Sequence, residues 1–137
     1  ALKNLVKNYN YIRMALTMNA TIPINNKTIG QIQEEFNNIF PYLRIQFFKE
    51  SHNENEGSRP DLMVKNTTQL FSVSPTNQKL EILGSMKVSE LENLFKHKYK
   101  LNIQVFRKSG NAWLETTVTD SWTLDKQNQE GIELSGL

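Results

Sequence analysis

Histidines, carboxylates and lysines are the side chains with which this chain could do chemistry, and their spacing limits what they can do. His52 lies in a polar stretch and His97 on the charged side of a helical repeat. Neither has a second histidine or a carboxylate cluster at the spacing a metal ion needs, so both read as solvated surface groups. Glu34 with Glu35, and Glu90 with Glu92, fall opposite an apolar helical stripe, where carboxylates are normally hydrated. Asp61, Asp120 and Asp125 each stand beside a turn or cap. Gly30 and Gly84 are isolated, so no glycine-rich phosphate loop or nucleophile elbow is present. The chain contains no cysteine, which excludes disulfides, thiolate chemistry and finger-type zinc sites. These residues nominate no catalytic, cofactor-binding or metal site, and the expectation leans away from an enzyme. The enzymatic alternative requires a site that only folding would assemble.

Two other groups of residues could act by binding. Lys96, Lys98, Lys100, Arg107 and Lys108 form a candidate basic patch, although lysines near a helix C-terminus also serve simply to complement its dipole. A net charge of +2 gives no whole-chain electrostatic footprint for nucleic acid or an anionic membrane. The second group is Arg44, Gln46, Phe48, Asn102, Gln104, Phe106 and Trp113, in which Phe48 and Phe106 recur at matching places among polar residues. Whether these seven form a face depends on the elements that carry them.

Those elements occur twice. Ile29, Ile32, Phe36 and Phe40 match Val88, Leu91, Phe95 and Tyr99 at a constant offset, and steps of three and four residues place each set on one face of a helix. After a one-residue slip, at which Pro41-Tyr42 faces Lys100 alone, Leu43, Ile45 and Phe47 match Leu101, Ile103 and Val105 with the alternation of a strand. Thr28 and Gln31 predict a capping box on the first helix, Lys87 removes it from the second, and Pro41 stops the first helix. Short β-like runs precede both helices at 20–24 and 79–83, so each copy reads as β-α-β, over 20–50 and 79–108. One such unit has a thin core, whereas two sharing a sheet form a two-layer sandwich. With Leu43, Ile45 and Phe47 turned to the helices, the seven candidate residues turn the other way.

The remainder of the chain is read around these units. Leu2, Leu5, Val6, Tyr9, Ile12 and Leu16 give an amphipathic N-terminal helix over 1–19, with a strand over 9–16 as the rival reading. The polar loop 51–60 divides the copies, and 71–83 could form a hairpin. Ser109-Gly110-Asn111 predicts a hairpin turn into a strand over 112–119 that carries Trp113 and Val118 on opposite faces. Thr123 caps a short helix that Gly131 ends, followed by Ile132, Glu133 and Leu134 as a possible last strand.

The paired helix-strand pattern, followed by Lys108 to Thr117, resembles a set of small uncharacterised bacterial proteins with a duplicated β-α-β unit. That resemblance covers 20–134 and implies no assigned activity. The C-terminal half, ending in Thr123-Leu124-Asp125 to Leu134, is similar in running order to the β-grasp, ubiquitin-like fold. It has no Gly-Gly end, so the resemblance implies no conjugation chemistry.

The sequence thus predicts a single cytoplasmic α+β domain over 20–137: two β-α-β repeats in a ferredoxin-like two-layer sandwich with an added C-terminal hairpin and helix, or alternatively β-grasp-like halves. No run is long and apolar enough for a membrane span. The expected role is a protein-interaction or self-assembly module, with a protein partner or a homo-oligomer. Single-stranded RNA binding on the sheet face is the alternative, weakened by the near-neutral charge and the lack of a Gly-aromatic RNP pattern.

Overall fold

A computed structural model describes residues 19–24, 26–49, 60–70 and 79–136, together with Lys3 and Asn4. Expectations about the N-terminal helix or strand, the loop 51–59, His52 and a hairpin over 71–78 lie outside the described residues. The described chain is an α+β sandwich of two layers. Its elements are β1 (Asn19–Pro23), α1 (Ile29–Ile39), β2 (Leu43–Lys49), β3 (Lys79–Leu83), α2 (Val88–Tyr99), β4 (Leu101–Ser109), β5 (Ala112–Glu115) and α3 (Leu124–Leu134). Among the described residues, hydrogen bonding divides the strands into a β1–β3 ribbon and a three-stranded sheet in the order β2-β4-β5, all antiparallel. The single sheet expected for the two repeats is therefore split in two. An alternating pattern shows which side of a strand meets the core but not which strand lies beside it.

The strand registers are self-complementary. Ala20 pairs with Ile82 and Ile22 with Leu80, around Thr21 opposite Glu81. Leu43 pairs with Arg107 and Lys49 with Leu101, around Gln46 opposite Gln104. Each half of the chain thus supplies one strand to each pairing. Helix packing is alike in the two halves. Phe36 on α1 and Phe40 at its C-terminal cap pack with tilted rings 5.3 Å apart between centroids, and Phe95 and Tyr99 on α2 do so at 5.4 Å. Leu43, Ile45, Phe47, Ile103 and Val105 are buried against these helix faces, in one core with Ile22, Leu80 and Ile82. The Tyr99 hydroxyl is buried without a hydrogen-bond partner at the place where the other half has Phe40, and its burial pushes the phenol up to about 12.

The correspondence extends further along the chain than the sequence reading placed it. At the start of α1, Ile29 N donates to Thr68 O at 2.7 Å and Gly30 N to Asn66 O at 2.8 Å. At the start of α2, Val88 N donates to Trp122 O at 3.0 Å and Ser89 N to Asp120 O at 2.9 Å. Likewise Val64 N donates to Phe47 O, and Thr116 N to Val105 O. Residues 63–70 therefore strap α1 and β2 as 115–124 strap α2 and β4. The match is obscured in the sequence because the second strap is longer by two residues, taken up in the short 3-10 turn Thr117–Thr119.

Local chemistry explains the boundaries. Thr28 and Gln31 form the predicted reciprocal cap on α1. At Lys87 only the Glu90 carboxylate contributes, accepting from the backbone N–H. The one-residue slip after the helices has a structural cause: α2 ends on Lys100 with φ +56, whereas α1 ends at Phe40 and turns through Pro41-Tyr42. Gly110 takes φ +60 in the two-residue loop between β4 and β5, where a hairpin turn favours glycine. β5 ends at Glu115, so Val118 is not on a strand; it stands 97% exposed in the 3-10 turn.

Gly131 does not end α3. It is buried in mid-helix, and Ile132, Glu133 and Leu134 continue the helix where a strand was expected. A Cβ at Gly131 would lie 2.7 Å from the Cβ of Tyr42, so this glycine is required by close packing and not by a left-handed cap.

Candidate interaction face

The sheet places the seven candidate residues on one face, with Phe48 and Asn102 at one end and Arg44, Phe106 and Trp113 at the other. Arg44 lies opposite Phe106, Gln46 opposite Gln104 and Phe48 opposite Asn102, while Trp113 faces Lys108 across β4–β5. All belong to the side turned away from the buried Leu43, Ile45, Phe47, Ile103 and Val105. The face is not uniformly open. Phe48 and Gln104 are buried, at 6% and 8% exposure, and Gln104 Nε2 donates to Val105 O at 3.2 Å. Arg44, Phe106 and Trp113 are half-buried.

At this open end the Arg44 guanidinium carbon sits 4.7 Å from the Trp113 ring centroid and 5.7 Å from that of Phe106. A cation over an aromatic face contributes about 0.5–1 kcal/mol when exposed and ~2 when desolvated. The Arg44 Nε is buried without a hydrogen-bond partner, so the rings are its nearest compensation. This arrangement also occupies the aromatic faces that nucleic-acid bases would stack on.

The predicted basic patch is dispersed. Lys96 and Lys100 are exposed at the end of α2, and Lys98 donates to the Lys79 carbonyl, with desolvation lowering its pKa despite the nearby Glu81. Arg107 and Lys108 lie at the far end of β4, about 20 Å away at ~3.3 Å per residue. They point to opposite faces: Lys108 lies opposite Trp113 on the outer face, while Arg107 donates to Gln127 Oε1 at 2.7 Å on the helix side. Proximity in sequence along a strand separates side chains in space.

The N-termini of α1 and α2 are closed to anions, because the strap carbonyls of Asn66, Thr68, Asp120 and Trp122 accept their first amides, and Met86 O and Gly84 O accept those of α3. Among the described residues no group of three or more His, Asp or Glu is placed to hold a metal, and His97 is exposed on α2. A shallow groove of about 160 Å³ over the β1–β3 ribbon is lined by Asn19, Ala20, Thr21, Glu81 and Leu83, with only one titratable group.

A carboxyl pair has unusual electrostatics. Burial, and secondarily the charge of Asp120, push the Glu92 carboxyl from 4.5 up to about 7. The matching positions in half one hold Gln33 and Asn66, and Gln33 Nε2 donates to Ile45 O at 2.8 Å. A protonated carboxyl at Glu92 can donate as that amide does; a carboxylate cannot. The folded protein thus retains a proton that the unfolded chain releases. The resulting stability is full below pH 4.5 and is lost as pH rises through about 7. Glu92→Gln is expected to stabilise the protein by about 1 kcal/mol above that window, a value reduced for partial solvation, with little effect below it. Urea unfolding of both proteins across the window checks this, and a pH-independent difference would refute it.

The sequence reading missed the polar clasp on α3. Gln127 and Asn128 are buried, Gln127 Nε2 donates to Thr119 O at 2.8 Å, and Asn128 Oδ1 accepts from Tyr42 N at 2.9 Å. The signal was present: Leu124, Gln127, Asn128, Gly131 and Ile132 follow helical spacing, with two polar residues within the buried stripe.

Comparison with protein-family models, curated proteins and solved structures found no match to this chain.

Proposed function

We propose that this protein is a non-catalytic interaction module that works by self-assembly, with the β2-β4-β5 sheet as its contact element. The observation that carries this reading is the open end of the outer sheet face. There Phe106 and Trp113 remain half-exposed beside Arg44, and Leu114, 46% exposed, adds an apolar side chain on the opposite side of the edge strand. Aromatic residues and arginine are the types enriched where proteins meet. The described polar groups are largely committed within the fold: the helix amides to the straps, Arg107 to Gln127, and Tyr42 N to Asn128. The guanidinium over both rings favours a protein contact above base stacking. Among the described residues no helix is long and apolar enough to cross a membrane.

Light scattering over a concentration series tests the proposal. The weight-average mass is expected to rise above that of one chain as concentration increases. A single-chain mass up to the solubility limit would overturn self-assembly.

A further inference from the structure

The two edges of the β2-β4-β5 sheet are finished differently. On the β2 edge every second carbonyl is already bonded. Leu43 O accepts from Asn37 Nδ2 at 2.8 Å, Ile45 O from Gln33 Nε2 at 2.8 Å, and Phe47 O from Val64 N at 2.8 Å. The chain alongside enters through Pro60 in a 3-10 turn, a residue and a geometry that resist strand addition. Among the described residues the β5 edge has no such cover. Because Thr116 N donates to Val105 O, the even-numbered residues of this segment direct their backbone groups at β4. Trp113 and Glu115 therefore direct theirs outward. Neither has an outward backbone partner among the described residues, and Ala112, Leu114 and Glu115 are all exposed.

Building on the self-assembly reading, we infer that β5 is the contact strand and that its occupant is β5 of a second copy, paired antiparallel on a dyad through Leu114. The register follows from the residues. With Leu114 opposite itself, Trp113 of each copy faces Glu115 of the other, and these are the two residues whose N–H and C=O groups point outward. The two Leu114 side chains, each 46% exposed in the single chain, become a close non-hydrogen-bonded pair and cover one another. No like charges are placed opposite each other. An antiparallel pairing about a central residue is also how this fold joins its own halves, around Thr21 and Glu81 and around Gln46 and Gln104. The product is a continuous sheet in the order β2-β4-β5-β5-β4-β2.

The absence of cysteine allows a direct test on the full chain. In a non-hydrogen-bonded antiparallel pair the Cα atoms are about 4.5 Å apart, within the range a disulfide spans. Leu114→Cys is expected to give a disulfide-linked dimer under mild oxidation. Met63→Cys, on the guarded edge and equally exposed at 46%, is expected to form no disulfide cross-link. Leu114→Lys, which sets two like charges across the dyad at an exposed position, is expected to weaken self-association at least about tenfold while leaving the circular dichroism spectrum unchanged. Failure of Leu114→Cys to cross-link, equal cross-linking of both cysteine variants, or self-association undiminished in Leu114→Lys would overturn the β5 pairing, while wild-type association would leave the broader reading standing. A wild-type protein that is monomeric at all concentrations would overturn both.

Discussion

Gly131→Ala is expected to destabilise the protein by about 2–4 kcal/mol, the range of an overpacked contact with lost buried hydrogen bonds. Alanine is ordinarily better than glycine within a helix by about 1 kcal/mol, so the sign depends on the surroundings. Here the added Cβ would lie 2.7 Å from the Cβ of Tyr42 and 3.3 Å from its carbonyl oxygen, both fixed at the start of β2. Neither atom belongs to the free end of a flexible side chain, so α3 itself must move outward. That movement stretches the bonds from Tyr42 N to Asn128 and from Arg107 to Gln127, leaving buried polar groups unpaired. Glu133→Ala, exposed on the same helix, is the matched control and should change stability by less than about 0.5 kcal/mol. Urea denaturation of the two variants decides the matter. A Gly131→Ala protein as stable as the control would mean that the close approach to Tyr42 does not constrain the helix.

Phe95→Ala should cost more, about 3–5 kcal/mol. Phe95 is fully buried, stacks on Tyr99 in its own half, and meets Phe47 of the other half edge-on at 5.1 Å between centroids. It is therefore a member of both halves' packing. Because the hydrophobic core is continuous through the two, the loss should appear in one cooperative transition shared by all probes. Tryptophan fluorescence reports from Trp113 and Trp122, both in half two, whereas far-ultraviolet circular dichroism reports from the whole chain. Coincident urea curves with a lowered midpoint are expected. Separate transitions would show that the halves have independent cores.

Some of this architecture is legible in the sequence because it follows from periodicity alone. The spacing of Ile29, Ile32, Phe36 and of Val88, Leu91, Phe95 locates both helices and their buried faces, and the alternation in Leu43 to Phe47 and Leu101 to Val105 identifies the inner side of the sheet. The seven residues of the candidate face were legible for the same reason, since strand parity assigns a side. Neighbours are different. Nothing in the alternation says that β1 pairs with β3 while β2 pairs with β4, or that residues 63–70 return to strap α1. Exposure along the face was equally hidden, because burial of Phe48 and Gln104 depends on what packs over them. Gly131 misled because a glycine near a helix end normally marks its stop, and only the position of Tyr42 reveals the other use. The lysine cluster misled because adjacency in sequence says little about distance along and across a strand.

The interleaving of the strands has a consequence for biosynthesis. As the first half leaves the ribosome, β1 and β2 lack their ladder strands, β3 and β4, which are translated later. The nascent chain must keep those apolar strands from other contacts until the second half arrives, and its native topology is one of high contact order, which slows folding and prolongs exposure to aggregation. Refolding of the isolated chain should accordingly be limited by the search that joins distant segments, not by formation of its helices.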